Sequence, residues 1–352
     1  MEGRPNLVRI PVVLLAALSV VVCAIAGCGG SGGPTGPSSS TAVTAPAGGV
    51  AQFSVSPIDN PVAGSLTALG NLNPPGHTLP TDHVYFYQRS LAGPGLPFDG
   101  STRTVRAPAR AAVKFVLSGT GAEVVMGFAA TSTFVYYLDH FIPRAGLTVG
   151  TIVDAGEVIG TTNATLDLGA FDLSQPLLGF ASPSRYPDST RYAVSPWKYF
   201  VEPLRSELYA KIYRAPGVAD RDGRIDFDVV GRLVGAWYDT SVPMTTEAAG
   251  PANWAKALAF VYDYYDPSLV RISIGGTIAS AGVWAIAPDA VRPADVSTAS
   301  GQVNYRLFYP DGRPYGLMLV EMTSATQIRV EVLPGSTATS ASFSSSARVY
   351  VR

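Results

Sequence analysis

The chain contains three histidines, and Asp82 lies between the first two of them in the sequence. His77 is followed by the neighbours Asp82 and His83, whereas His140 lies further along the chain. Imidazole nitrogens and carboxylate oxygens are zinc ligands in proteins, and histidine also transfers protons near neutral pH. We therefore treat His77, Asp82, His83 and His140 as candidates for a metal site or a polar ligand site. The alternative is that all four are hydrogen-bonded structural residues.

Strands are predicted to position these side chains. Short runs of β-branched and aromatic residues alternate with Gly and Pro turns at residues 84–87, 112–117 and 133–137. Proline-rich residues 183–203 interrupt this pattern, and Leu204, Leu208 and Ile212 then recur at helical spacing. Further strands are predicted at 225–230, 233–238, 257–265, 270–274, 283–286, 303–309, 317–322, 328–332 and 348–351. That number is enough for an antiparallel barrel or sandwich.

A glycine-rich hairpin follows the third predicted strand. From Val149 to Gly160 the sequence reads V-G-x-x-V-x-A-G-x-x-I-G, in which glycines turn the chain and small residues let two sheets pack closely. This pattern resembles the duplicated hybrid motif of biotinyl and lipoyl carriers, membrane-fusion adaptors and lysostaphin-type zinc peptidases of peptidoglycan. The hairpin contains no lysine to carry biotin or lipoate, which argues against a carrier.

Other segments resemble the peptidases in the same order. Val105-Arg106-Ala107-Pro108 with Ala112-Val113 looks like their V-x-A-P-x-x-G-x-V segment, and residues 136–141 look like their Y-x-H-L segment with one extra residue before the histidine. The resemblance covers roughly residues 70–171. It implies a zinc ion held by one His, one Asp and the second His of an H-x-H pair.

The family's ligands can be carried over only in part. His77 matches the first ligand, Asp82 or His83 could stand at the second with a spacing one residue longer than usual, and His140 matches the histidine that assists catalysis. The strand after Gly160 reads Asp167-Leu168-Gly169 where the H-x-H pair is expected. Asp167 could offer an oxygen ligand, although nothing in the spacing requires it. We therefore expect no bound cofactor, with zinc the one that the resemblance leaves open.

The N-terminus has the pattern of a secretory signal. Arg4 and Arg9 precede the uncharged residues 10–26, which end in Ile25-Ala26-Gly27-Cys28 without a basic stop-transfer cluster. The tetrad resembles the lipobox of bacterial lipoproteins, which implies cleavage before Cys28 and lipidation of its thiol with fatty acyl chains such as palmitate. The alternatives are an ordinary signal peptide or an uncleaved anchor.

The predicted organisation is mainly β. Residues 1–27 form the signal and 28–50 a Gly/Ser/Pro-rich tether, followed by a barrel-sandwich hybrid domain at 51–182, a Pro-rich connection with a short helix at 183–219, and an antiparallel β-barrel or sandwich at 220–352. A formal charge of −1 argues against a nucleic-acid partner.

These features predict a lipid-anchored cell-envelope protein, in the outer membrane if the host is Gram-negative, that binds cell-wall peptide or an envelope protein without catalysis. One alternative is a divergent zinc-dependent peptidoglycan hydrolase of lysostaphin type. Another is carriage of a small apolar ligand in the C-terminal barrel, because Gly235-Ala236-Trp237-Tyr238 resembles the G-x-W-Y start of lipocalins. Trp237 could equally be an ordinary core residue.

Overall fold

The computed structural model describes residue 45 and residues 51–59, 61–91, 100–119, 121–163 and 165–352. These residues belong to one compact unit. The predicted signal, Cys28 and nearly all of the tether lie outside the described residues. Within that part of the chain, no helix combines the length and apolar composition needed to cross a bilayer.

The first half of the described chain forms an antiparallel sheet. Its strands are β1 (His83–Phe86), β2 (Arg103–Arg106), β3 (Ala111–Ser118), β4 (Val124–Ala129), β5 (Phe134–Pro143), β6 (Ile152–Val153), β7 (Val158–Thr162) and β8 (Leu166–Asp172). Their order is β1-β8-β5-β4-β3-β6, and β2 pairs with β7. Strand β5 pairs with β4 and β8 along its length and with β7 at its end. It therefore connects the main sheet to the β2–β7 pair.

The connection between the two halves consists of short helical segments. These are α1 (Asp188–Arg191), α2 (Leu204–Tyr209) and the 3-10 turns Pro183–Arg185 and Pro196–Tyr199, two of which begin at a proline. Helix α2 lies where the sequence predicts a helix, and it buries Leu208. Trp197 is also buried, and its indole N–H donates to the Thr67 carbonyl over 3.0 Å. The connection therefore packs against the first sheet.

The second half forms a closed antiparallel barrel. Its strands are β9 (Gly235–Asp239), β10 (Ala257–Tyr262), β11 (Val270–Ile274), β12 (Gly282–Ile286), β13 (Gln302–Phe308), β14 (Pro314–Ser324), β15 (Gln327–Pro334) and β16 (Arg348–Val351), with 3-10 turns at Thr246–Ala249, Pro251–Lys256 and Thr298–Ser300. The barrel closes where β16 pairs with β9. The predicted fold class, mainly β with a second antiparallel domain, is confirmed.

Side chains of the barrel itself occupy its interior. Trp237, Leu258, Phe260, Ile272 and Tyr305 are among the buried residues of this cluster. Trp237 is therefore a core residue. The packed interior lends no support to the apolar-carrier alternative.

The predicted strand at 225–230 is wrong. This segment runs beside the first domain without a strand partner because two of its carboxylates bind backbone amides. Asp226 accepts from the Gly179 amide, and Asp228 accepts from the amides of Ala181 and Ala236. Side-chain hydrogen bonds thus replace the ladder that the apolar pattern suggests.

The outer face of the barrel contributes to the core of the first half. Ala236, Tyr238, Val242, Ala248 and Ala257 belong to the same apolar cluster as the interior of the first sheet. The contact surface between the two halves is therefore apolar. The predicted domain boundaries at 182 and 220 remain predictions.

Candidate functional site

Strands β1, β8 and β5 lie side by side and bring the candidate residues together. His83 on β1 pairs with Gly169 on β8, and Asp139 on β5 pairs with Asp167 on β8. Side chains two residues apart on a strand share a face. The Asp167 side chain therefore lies on the same face as position 169, the partner of His83. The sheet therefore places Asp167 between the histidines of its two neighbouring strands.

A β-bulge turns His140 toward this face. The register between β4 and β5 shifts so that Asp139 and His140 together oppose Val125. His140 has φ +62°, the one positive φ outside glycine in the described part of the chain. Its amide donates to Asp139 Oδ1 over 2.6 Å. The bulge accommodates the extra residue that the sequence has before this histidine.

Asp167 is the centre of the cluster. Its Oδ2 lies 3.4 Å from His83 Nε2 and 3.6 Å from His140 Nε2. The side chain is only 2% exposed. Burial raises the pKa of Asp167 to about 7, against the opposing effect of the two imidazoles. Asp167 Oδ1 is buried and has no hydrogen-bond partner among the described residues.

A second carboxylate orients each of these histidines. His83 Nδ1 lies 3.0 Å from Asp82 Oδ1, and His140 Nδ1 lies 3.2 Å from Glu123 Oε2. Burial lowers the pKa of both histidines, but the surrounding carboxylates outweigh it and raise both pKa values above the ordinary range. Both Nε2 atoms face Asp167, and His83 Nε2 also lies 3.1 Å from the Tyr85 hydroxyl oxygen.

Hydrogen bonds occupy both oxygens of Asp82. Oδ1 accepts from the Tyr137 hydroxyl over 2.7 Å and from His83 Nδ1, and Oδ2 accepts from the Thr190 hydroxyl. Burial opposes ionisation of Asp82, but these hydrogen bonds and the His83 charge lower its pKa to about 2. A metal ion at Asp82 would have to compete with these partners.

His77 lies at the outer edge of the cluster. Its ring meets the ring of His83 edge to face, with centroids 5.2 Å apart. Burial and the neighbouring His83 lower the pKa of His77 to about 4, so this imidazole is neutral at neutral pH. It can therefore both donate and accept a hydrogen bond.

Tyr137 fills the space where the resemblance places the third zinc ligand. A Cβ atom on Gly169 would lie 2.0 Å from Cζ of the Tyr137 ring. A histidine at position 169 would therefore require this ring to move. The phenol instead connects the strand to Asp82.

A groove of about 330 Å³ runs from this cluster along the contact between the sheet and the barrel. Its polar end contains His77, Asp82, His83 and Tyr137. Its walls are largely apolar and come from both halves of the chain, including Phe115, Leu117, Phe180, Tyr186, Tyr238 and Trp254.

The structure thus brings together His77, Asp82, His83 and His140, as well as Asp167. Sequence reasoning did not identify Glu123, Tyr137 or Asp139. Asp139 directly precedes a candidate histidine, which is a usable signal. Glu123 and Tyr137 reach the cluster only through strand pairing, so no local pattern marks them.

No family model and no curated protein matches the chain. Parts of it are similar to solved structures, including Csd3 from Helicobacter pylori at 18% identity (36% of this chain, 33% of that chain, TM-score 0.26). A zinc-containing peptidase from Vibrio cholerae matches at 13% identity (36% and 37%, TM-score 0.26), and lysostaphin at 11% (77% and 80%, TM-score 0.23). The match spans about a third of the length of the first two chains. Similarity this low does not transfer an activity, so the chemistry must come from the chain's own residues.

Proposed function

We propose that this is a lipid-anchored cell-envelope protein whose degenerate peptidase-like domain binds a short cell-wall peptide without cleaving it. The observation that carries the proposal is the groove between the sheet and the barrel, which is apolar along its walls and polar at one end. Such a combination suits a ligand with small apolar side chains and a polar terminus.

The polar end supplies the groups that a peptide needs. Neutral His77 can both donate a hydrogen bond to a peptide amide and accept one from it. Trp254 and Tyr186 offer flat apolar surfaces for short side chains along the walls. Peptide stems of the cell wall present small side chains, amides and free carboxylates.

Two features support binding without hydrolysis. Asp82 has both oxygens engaged in hydrogen bonds, and the Tyr137 ring lies against Gly169, where a zinc-binding histidine would be needed. A peptidase zinc must be held by three protein ligands that leave an open position for water. The zinc-hydrolase alternative would require both features to rearrange.

We expect the purified protein to co-sediment with cell-wall sacculi and to release no muropeptides from them, with or without added zinc. Trp254→Ala should weaken co-sedimentation roughly tenfold, because removing an aromatic anchor typically has an effect of this size. Tyr309→Ala is the matched control, since Tyr309 is similarly exposed (36% against 39%) and does not line the groove.

Chelator-sensitive muropeptide release that disappears in His77→Ala would overturn this proposal in favour of the hydrolase. Equal binding by the parent and the Trp254→Ala variant would move the binding surface away from the groove. Absence of binding to sacculi would exclude the cell wall and leave an envelope protein as the partner.

The lipid anchor is a separate part of the proposal and rests on the lipobox-like tetrad. We expect Cys28→Ser to stall processing or to release the protein from membranes, because acylation requires the thiol. The measurement is membrane fractionation with mass analysis of the N-terminus, with Cys23→Ser as the matched control. A processed Cys28→Ser protein that still partitions with membranes would contradict the anchor.

Gly29, in place of the aspartate that retains many lipoproteins at the inner membrane, favours the outer membrane in a Gram-negative host.

A further inference from the structure

We propose that the cluster beyond the polar end of the groove binds a divalent transition-metal cation of the Zn²⁺ type. Its ligands are four side chains on adjacent strands: His83, Asp139, His140 and Asp167. Three of them lie outside the groove lining, so the inference does not depend on peptide binding. It uses neither His77 nor position 169, and of the two residues that the peptidase resemblance offers for the second zinc ligand, Asp82 and His83, it uses His83.

The distances between donor atoms fit a coordination shell. Zinc bonds to nitrogen and oxygen of about 2.0–2.1 Å place neighbouring donors of a tetrahedron roughly 3.4 Å apart. Asp167 Oδ2 lies 3.4 Å from His83 Nε2 and 3.6 Å from His140 Nε2. Asp139 Oδ2 lies 4.0 Å from His140 Nε2. Ligand atoms of Asp139, His140 and Asp167 all lie within 4.8 Å of one another, and His83 adjoins this group through its 3.4 Å contact with Asp167.

An unpaired buried atom points independently to a ligand. Asp167 Oδ1 has no hydrogen-bond partner among the described residues, although the side chain is almost completely buried. A buried carboxylate oxygen without a partner is costly, and a cation bound by this carboxylate would compensate for that cost.

The surroundings of the two histidines fit the same role. Asp82 and Glu123 bind the Nδ1 atoms of His83 and His140, so each Nε2 faces Asp167. The Tyr85 hydroxyl lies 3.1 Å from His83 Nε2 and would have to move aside for this nitrogen to bind the ion. Carboxylates behind metal-bound imidazoles fix the tautomer and the ring orientation in this way. His140 is 43% exposed, which gives an ion access from solvent. The two aspartates would balance the charge of a divalent ion.

Imidazole donors favour Zn²⁺ and related transition metals over Mg²⁺ and Ca²⁺, which prefer oxygen ligands.

The test is calorimetric titration of the purified full chain, freed of metal, with Zn²⁺. A parallel Co²⁺ titration followed by visible absorption reports the coordination geometry. We expect one Zn²⁺ per chain, with a dissociation constant that tenfold excess Mg²⁺ or Ca²⁺ does not change.

Asp167→Asn and His140→Gln should each weaken Zn²⁺ binding at least a hundredfold and change the Co²⁺ spectrum. The matched control is His77→Gln, which removes a neighbouring imidazole outside the donor set and should leave the affinity within about threefold. Circular dichroism of the metal-free variants establishes that they are folded, and the half-exposed His140 makes its variant the safer of the two. Absence of stoichiometric binding overturns the proposal. Loss of binding in His77→Gln but not in His140→Gln overturns it as well, because the ion would then occupy the peptidase-like position.

Discussion

Replacing Trp237 with alanine is expected to destabilise the protein by about 3 to 5 kcal/mol, as truncation of a buried tryptophan typically does. Trp237 is fully buried inside the barrel, and its indole N–H donates to the Leu233 carbonyl over 2.8 Å. The Arg352 guanidinium stacks 3.7 Å from the ring centroid. The substitution would leave a cavity and also remove the aromatic ring that packs against the buried Arg352 guanidinium.

The measurement is chemical and thermal denaturation of the full chain, where this loss corresponds to a decrease in Tm of roughly 10 °C. Trp254→Ala is the matched control, because Trp254 lies partly exposed on the groove wall. Trp254→Ala should lower the free energy of unfolding far less than Trp237→Ala does. Its main effect should be on binding to sacculi. A Trp237→Ala protein as stable as its parent would show that the indole does not support the barrel core.

The sequence predicts the strands well where local pattern and final pairing agree. The β-branched and aromatic runs at 112–117 and 133–137 correspond to β3 and β5, and the helical spacing after Pro203 corresponds to α2. The apolar run at 225–230 misleads because Asp226 and Asp228 bind amides of another segment. These amides belong to Gly179 and Ala181, which lie more than forty positions away in the chain, so no local pattern reveals them.

The candidate site is predictable only in its residue types. His77, Asp82, His83 and His140 can be selected because histidine is rare in this chain and because of their motif context. The central place of Asp167 depends on the pairing of β8 with both β1 and β5, which no local pattern contains. The bulge at His140 is visible in the sequence only as one extra residue, and its effect on the direction of the side chain requires the sheet.

Removal of the Asp82 carboxylate is expected to have the second large effect. Asp82→Ala should destabilise the protein by about 3 kcal/mol at neutral pH, because buried donors lose a charged acceptor. The donors are His83 Nδ1 and the hydroxyls of Tyr137 and Thr190, and the Thr190 bond joins α1 to the residue that precedes β1. Asp59→Ala is the matched control, since Asp59 is exposed and lies 3.7 Å from the Arg106 guanidinium. Asp59→Ala should lower the free energy of unfolding by about 0.5 kcal/mol or less.

The effect of Asp82 should also depend on pH with a defined sign. Its folded-state pKa of about 2 lies below the ordinary value of 3.8, so the ionised carboxylate stabilises the folded protein above pH 3.8. This contribution is lost as the pH falls through about 2. Urea denaturation of the parent and of Asp82→Asn should therefore give a stability difference that narrows as the pH falls from about 4 to 2. A difference that stays constant down to pH 2 would show that the ionised carboxylate is not what holds His83, Tyr137 and Thr190 together.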